Sequence, residues 1–234
     1  MNLKDKNFLI VGASSGVGLE LSTQLLKQGA NLTVVSRSKP DSDAHYIPLD
    51  VTQDQIDPNL LPEVLHGLAY CVGSITLKPF SRLKKEDFLL DFQLNVLGAV
   101  QIIQAAFPAL KKANGASIVL YSTVAVSVGM NFHASIAVAK GGIEALTKSL
   151  AAEFASSQIR VNAVAPSLTD TPLAKNLLST DEKRESSAKR HPLGKIGTAA
   201  DIANLSRFLL SPDSSWITGQ IIGADGGMGN LKPF

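Results

Sequence analysis

Short runs of consecutive apolar residues alternate along this chain with longer segments in which apolar residues return every three or four positions. Continuous apolar runs suit strands buried on both faces of a parallel sheet, and the longer period suits helices packed against it. Residues 8–11 read as a first strand and 16–28 as the helix after it, with Gly29 as its stop signal. Further strands are expected at 32–35, 46–49, 68–72, 117–121, 159–165 and 220–223, and helices at 86–112, 134–154 and 199–210. The stretch between the second and third strands, SRSKPDSDAH, is too short and polar for a full helix. Residues 168–195 form a polar, Ser- and Lys-rich segment suited to covering a site as a lid. The alternation is that of βαβ units in a parallel sheet. No repeat or linker divides the chain, so residues 1–234 are expected to form one domain.

Composition narrows the class. The chain has 234 residues, 45% hydrophobic and 18% charged, with a formal net charge of +2. That size can bury a substantial core, and the balanced charge does not suggest a nucleic-acid or membrane surface. The single cysteine, Cys71, excludes an internal disulfide and a Cys-rich metal site. It is expected to be a small buried hydrophobe. The start, MNLKDKNFLI, does not have the pattern of a signal or transit peptide, and no uncharged apolar run looks long enough to span a bilayer. These features lead to the expectation of a soluble cytoplasmic protein with no metal.

The first strand runs into Gly12-Ala-Ser-Ser-Gly16-Val-Gly18, which opens a helix. Glycines let the backbone turn tightly and approach phosphate, and the helix start offers unpaired N–H groups and a positive dipole end. Ser14 and Ser15 add hydroxyl donors. A packing turn is the plainer reading, but a position after a first strand and before a helix is what a dinucleotide site requires. At the end of the second strand, a fold that binds NAD usually carries an acid for the ribose 2′-hydroxyl. Here the corner is Ser36-Arg37-Ser38-Lys39. A guanidinium at that corner suits a 2′-phosphate, so NADP(H) is expected ahead of NAD(H).

With these residues in place, the chain resembles the short-chain dehydrogenase/reductase family over nearly its whole length. The glycine loop has the family's G-x-x-x-G-x-G spacing. Leu49-Asp50-Val51-Thr52 is similar to its acidic turn beside the adenine, and Asn95 falls where the family places a structural and catalytic asparagine. Lys140-Gly-Gly-Ile resembles the catalytic lysine and its helix, and Arg160-Val-Asn-Ala-Val-Ala-Pro166 the sixth strand with its proline turn. Pro192–Gly197 and Ile217–Gly227 resemble C-terminal signatures. The resemblance implies a doubly wound, Rossmann-type α/β fold with a seven-stranded parallel sheet and helices on both faces in three layers. It implies dinucleotide contacts from Val17, Gly73 and Pro166 as well as the loop, and a homodimer or homotetramer paired through the helices at 86–112 and 134–154. The implied substrate is a small carbonyl or alcohol.

The chain also departs from that pattern. The family's catalytic tyrosine, four residues before the lysine, corresponds to Ile136, and its serine, thirteen residues earlier, to Thr123 with Ser122 beside it. The Asn-Ala-Gly turn after the fourth strand reads Cys71-Val72-Gly73, the threonine before the first glycine is Val11, and the glycine after the strand-six proline is Ser167. Reduction of a ketone needs a proton for the developing alkoxide as well as a hydride. Residues four apart share a helix face, so positions 136 and 140 should meet, and an isoleucine has no proton to give.

Several residues keep two readings at this point. Thr123 can polarise a carbonyl but is a poor acid, and Tyr121 either shares its face or points into the core. His133 has the chemistry for acid–base work near neutrality, or it caps its helix or faces water. Asn95 either ties its helix to a neighbour or relays through water to Lys140. Lys140 binds a ribose, or snorkels as ordinary lysines do. Asp50 contacts adenine, or serves only as a turn or cap. The intact binding motifs without the phenol leave two functions: an NADP(H)-dependent oxidoreductase with an altered site, using Lys140, Asn95, Thr123, Ser122 and His133, or an NADP(H)-binding module without turnover.

Overall fold

The computed structural model describes residues 3–232. Among them, the apolar runs form strands β1 (Asn7–Val11), β2 (Asn31–Ser36), β3 (His45–Pro48), β4 (Gly67–Tyr70), β5 (Ser117–Tyr121), β6 (Arg160–Pro166) and, after two short strands, β9 (Ile221–Ala224). They make one parallel sheet of seven strands in the order β3-β2-β1-β4-β5-β6-β9. The strands start or end within two residues of the expected positions. The two short strands, β7 (Thr169–Asp170) and β8 (Gly197–Thr198), pair with each other and lay down a small ladder beside the main sheet.

Helices α1 (Gly16–Lys27) and α6 (Ala199–Leu210) pack together on one face. Helices α2 (Lys85–Phe92), α3 (Gly98–Lys112) and α4 (Ala134–Phe154) cover the other. The core is therefore double. One half sets Leu9, Val11, Leu68, Ile118 and Leu120 against α3 and α4, and the other sets Phe8, Ile10, Ala69, Val119 and Tyr121 against α1 and α6. Alternate residues of each strand feed opposite halves, which explains why the strands read as continuous apolar runs and which also fixes their register. Gly29, at φ +74°, follows α1 as its stop.

The helix expected at 86–112 is interrupted. Residues Gln93–Leu97 form a π-helical turn, and the Gly98 N–H reaches back five residues to the Gln93 carbonyl. By length and composition the stretch Lys85–Lys112 would suffice to cross a membrane, contrary to the sequence expectation. In the fold it instead lies along the sheet and keeps Asp91 and Asn95 buried on polar partners. The segment at 168–195 is also more regular than its composition indicates. It carries β7, a 3-10 stretch at Pro172–Leu178 and helix α5 (Asp181–Ala188), and an Arg184–Asp170 ion pair at 2.7 Å ties α5 to β7.

Candidate active site

Strand order reverses between β1 and β4: from β1 the chain moves outward to β2 and β3, then returns to β4 on the other side. The carboxyl ends of β1 and β4 therefore diverge, and a crevice at such a switch point is where open α/β sheets hold ligands. Gly12 leaves β1 at φ +86°, and its N–H donates to the Val35 carbonyl at 2.7 Å. A Cβ on Gly18 would lie 2.3 Å from the Gly12 oxygen, so only glycine lets the start of α1 fold back onto the strand end. Ser15 occupies the N-cap of α1 without bonding its side chain to the helix, and both Ser14 and Ser15 are exposed. The first-turn amides of α1 are left for an anion.

Arg37 is exposed just past the end of β2. The Ser36 hydroxyl is buried and donates to the Ser38 carbonyl at 2.7 Å, fixing the corner that carries the guanidinium. Asp50 accepts from the Thr52 hydroxyl at 2.7 Å and the Thr52 amide at 2.9 Å. These bonds, with a smaller pull from Arg37, hold its carboxyl below the usual range. Val51 buries its side chain in the core beside Gly98.

Beyond β4 and β5 the edge deepens into a cleft of about 320 Å³. It is lined by Val17, Gly73, Ser122, Thr123, His133, Lys140 and Pro166 among the residues singled out from sequence, and by Ile136. The segment after β6 contributes Leu168, Thr171, Leu173 and Leu177 to its other wall. Lys140 is buried and donates to the Tyr121 carbonyl at 2.8 Å. Burial pushes its ammonium down to about 8, against the opposing pull of Asp91 and Cys71. Ile136 stands one helical turn before it, buried and apolar.

A buried carboxylate supports this wall. Asp91 accepts from the hydroxyls of Ser74 (2.7 Å), Thr76 (3.0 Å) and Ser135 (2.5 Å). Asn95, on the π turn, donates through Nδ2 to the Asp91 carbonyl at 2.8 Å and to Ser74 at 3.1 Å. Its Oδ1 is buried with no partner among the described residues. That oxygen and the Lys140 Nζ each lie 3.4 Å from where a Cβ on Gly73 would sit. An unpaired acceptor and an ammonium with donors to spare thus flank a glycine that keeps the space open, the arrangement a ribose hydroxyl or bridging water needs.

Other sequence candidates separate here. Thr123 Oγ1 accepts weakly from the Ala125 amide at 3.3 Å, and Ser122 Oγ donates to Glu144 at 2.6 Å. His133 stands at the N-cap of α4 without capping it; its Nδ1 lies 2.7 Å from the Asn131 carbonyl, and the ring lines the cleft. Tyr121 turns its ring into the α1–α6 half of the core, where its hydroxyl donates to Ser206 at 2.7 Å. Burial holds that phenol well above its ordinary value, and it pushes the neighbouring Cys71 thiol up to about 12. Neither group is suited to releasing a proton. The sequence reading missed Asp91, Ser74, Ser135, Ser167 and His191. Of these, only Ser167 carried a signal, as a departure from the family's glycine.

A family model described as enoyl-(acyl carrier protein) reductase matches residues 12–229. The chain belongs to the short-chain dehydrogenase/reductase family. It is 31% identical to the 3-oxoacyl-(acyl-carrier-protein) reductase FabG of Thermotoga maritima, over 97% of this chain and 99% of that one. Among solved structures it is similar to the aldohexose dehydrogenase AldT of Thermoplasma acidophilum, with a TM-score of 0.89 at 25% identity over 99% and 97% of the two chains. It is also similar to ElxO with NADP bound, with a TM-score of 0.86 at 27% identity over 97% and 100% of the chains. A tyrosine-to-phenylalanine variant of ElxO has been solved with NADPH bound. The seven-stranded parallel sheet of this chain is that of a short-chain oxidoreductase fold.

Proposed function

We propose that this short-chain oxidoreductase uses NADP(H) to interconvert a small carbonyl and its alcohol, in an active site where Ile136 stands at the family's tyrosine position. The observation that carries the reading is the placement of the glycine loop, Lys140 and the unpaired Asn95 oxygen along one sheet edge that opens into an apolar cleft. Gly12, Ser14, Ser15, Gly16, Val17 and Gly18 would hold the diphosphate. Arg37 and Ser36 would hold the 2′-phosphate, Asp50 and Val51 would flank the adenine, and Gly73, Lys140 and Pro166 the nicotinamide end. When bound, the dinucleotide supplies or accepts the hydride. Lys140 orients the ribose, Thr123 polarises the carbonyl, and the 168–195 segment shields the cleft from water. The NADP-bound relative supports the choice of cofactor, as does the absence of an acid from the Arg37 corner.

One observation favours a second reading. Ile136 offers no proton beside Lys140, which suits a module that binds NADP(H) without turnover. Following NADPH absorbance over a broad carbonyl panel across pH separates the two. Loss of absorbance with at least one carbonyl is expected; saturable NADPH binding with no turnover anywhere would select the binding module. The exposed Leu89 and Leu90 of α2, with Leu97 and with Val138 of α4, form an apolar face suited to a homodimer or homotetramer.

A further inference from the structure

The cleft contains a second polar pair besides Lys140 and Asn95. His191 follows α5 and is only 4% exposed, yet its ring lines the cleft. Its Nδ1 lies 2.8 Å from the Ser187 carbonyl, and its Nε2 lies 2.8 Å from Ser167 Oγ. A carbonyl can only accept, so Nδ1 carries a proton in either charge state of the ring. The charge state then decides the direction of the other bond. A neutral ring accepts the Ser167 hydroxyl proton at Nε2. An imidazolium donates Nε2–H to Ser167 Oγ and frees the hydroxyl proton for another acceptor. Besides His191, the acceptor already near Ser167 is the Met228 sulfur at 3.1 Å, a weak one.

Ser167 follows Pro166 at the carboxyl end of β6 and lines the same cleft as Thr123, Ile136 and Lys140. Both Ser167 and His191 also line an adjoining cavity of about 310 Å³, bordered by Lys195, Asp201 and Asp225. The ring thus lines both the reaction space and a second opening that carries charged side chains. The charged and titratable groups that line the two cavities with it are Arg190, Lys140, His133, Cys71 and Tyr121 in the cleft and Lys195, Asp201 and Asp225 in the adjoining cavity.

We propose that Ser167, charged by His191, delivers the proton that Ile136 cannot. The inference rests on the reductase reading above. A reduced nicotinamide dinucleotide supplies the hydride to the carbonyl carbon. The alkoxide oxygen takes the Ser167 hydroxyl proton, Ser167 Oγ takes the Nε2 proton, and the neutral ring is recharged by water through the adjoining cavity. Ser167 is the catalytic residue of the pair, and His191 is the positioning residue and proton reservoir. Because only the imidazolium can donate from Nε2 while Nδ1 serves the Ser187 carbonyl, the relay requires the charged ring.

The test uses the full chain with NADPH, a reducible carbonyl from the panel, and ¹⁵N NMR of the histidine rings. Ser167→Ala and His191→Asn, whose amide can still donate to the Ser187 carbonyl, are each expected to lose about 10²-fold in reduction rate. NADPH affinity should stay within about threefold of the parent, since neither side chain touches the phosphate loop. His191→Asn should flatten the pH profile, Ser167→Thr should recover most of the rate, and Ser167→Ala should change the ¹⁵N signal of His191 Nε2, which loses its hydrogen-bond partner. Rates within about threefold of the parent in either variant overturn the proposal and leave the reductase reading standing. A rate loss matched by an equal loss of NADPH affinity, with an unchanged Nε2 signal in Ser167→Ala, assigns the pair a structural role and overturns it too. A parent that binds NADPH without turnover overturns both the relay and the reductase reading, and a parent that binds no dinucleotide removes the binding reading as well.

Discussion

At the end of β1 the chain offers a ligand mostly backbone, whereas around Lys140 it offers side chains drawn from distant segments. The loop Gly12–Gly18 depends on two close approaches, the Gly12 turn and the contact of Gly18 with the Gly12 carbonyl. The lysine wall depends on Ser74 and Thr76 after β4, Asp91 and Asn95 on the interrupted helix, and Ser135 and Lys140 on α4. The first region can be altered only by breaking its backbone. The second rests on single side chains, each of which can be replaced with the backbone kept. On the proposed function, mutation should separate binding from proton delivery.

The largest effect should come from the frame. Asp91→Ala leaves three hydroxyls without their acceptor and removes a carboxylate that favours the charged form of a buried lysine, and it is expected to cost about 3–5 kcal/mol in chemical denaturation. A cost below about 1 kcal/mol would show that the wall does not depend on this group. Next is Gly18→Ala, whose Cβ must displace the Gly12 carbonyl. It should weaken NADPH by about 10²-fold with a stability loss of about 1–3 kcal/mol. Unchanged affinity would dissociate the loop from binding. Arg37→Ala should weaken NADPH by about tenfold and leave NADH unchanged, erasing the preference; equal weakening of both would place the guanidinium elsewhere on the ligand.

A pH-dependent effect follows from Lys140. Its ammonium is held at about 8 in the fold, below its ordinary value of 10.5, so between those values the unfolded chain binds more protons. Burial of the charge costs stability below that window, and stability should rise with pH from about 8 towards 10.5. Denaturation of Lys140→Met alongside the parent checks this, because the variant should lack the rise. The smallest change in fold energy is expected for Leu90→Glu on the exposed α2 face, which should reduce the mass seen by light scattering to that of a monomer with cofactor binding intact.

The same contrast explains what the sequence made legible. The sheet, its seven strands and the glycine loop are local patterns: apolar runs, a strand–turn–helix junction, glycines at fixed spacing. The site wall is not local. Asp91 sits in an amphipathic helix, where a carboxylate reads as a solvent-facing residue, and only the fold shows three hydroxyls closing on it. The π turn is invisible because FLLDFQLNVLGAVQIIQAAF keeps its apolar spacing through it. His191 lies in a segment whose polar composition indicated a lid and nothing about its partners. Tyr121, left between two roles, is settled by its bond to Ser206, which commits its hydroxyl to the core although the residue borders the cleft.

Titration calorimetry with NADPH and NADH tests the central claim, that the switch-point edge holds a nicotinamide dinucleotide, most directly. One saturable site per chain is expected, with NADPH bound about tenfold more tightly than NADH. No heat from either nucleotide at about millimolar concentration, a free energy weaker than roughly 4 kcal/mol, would contradict it.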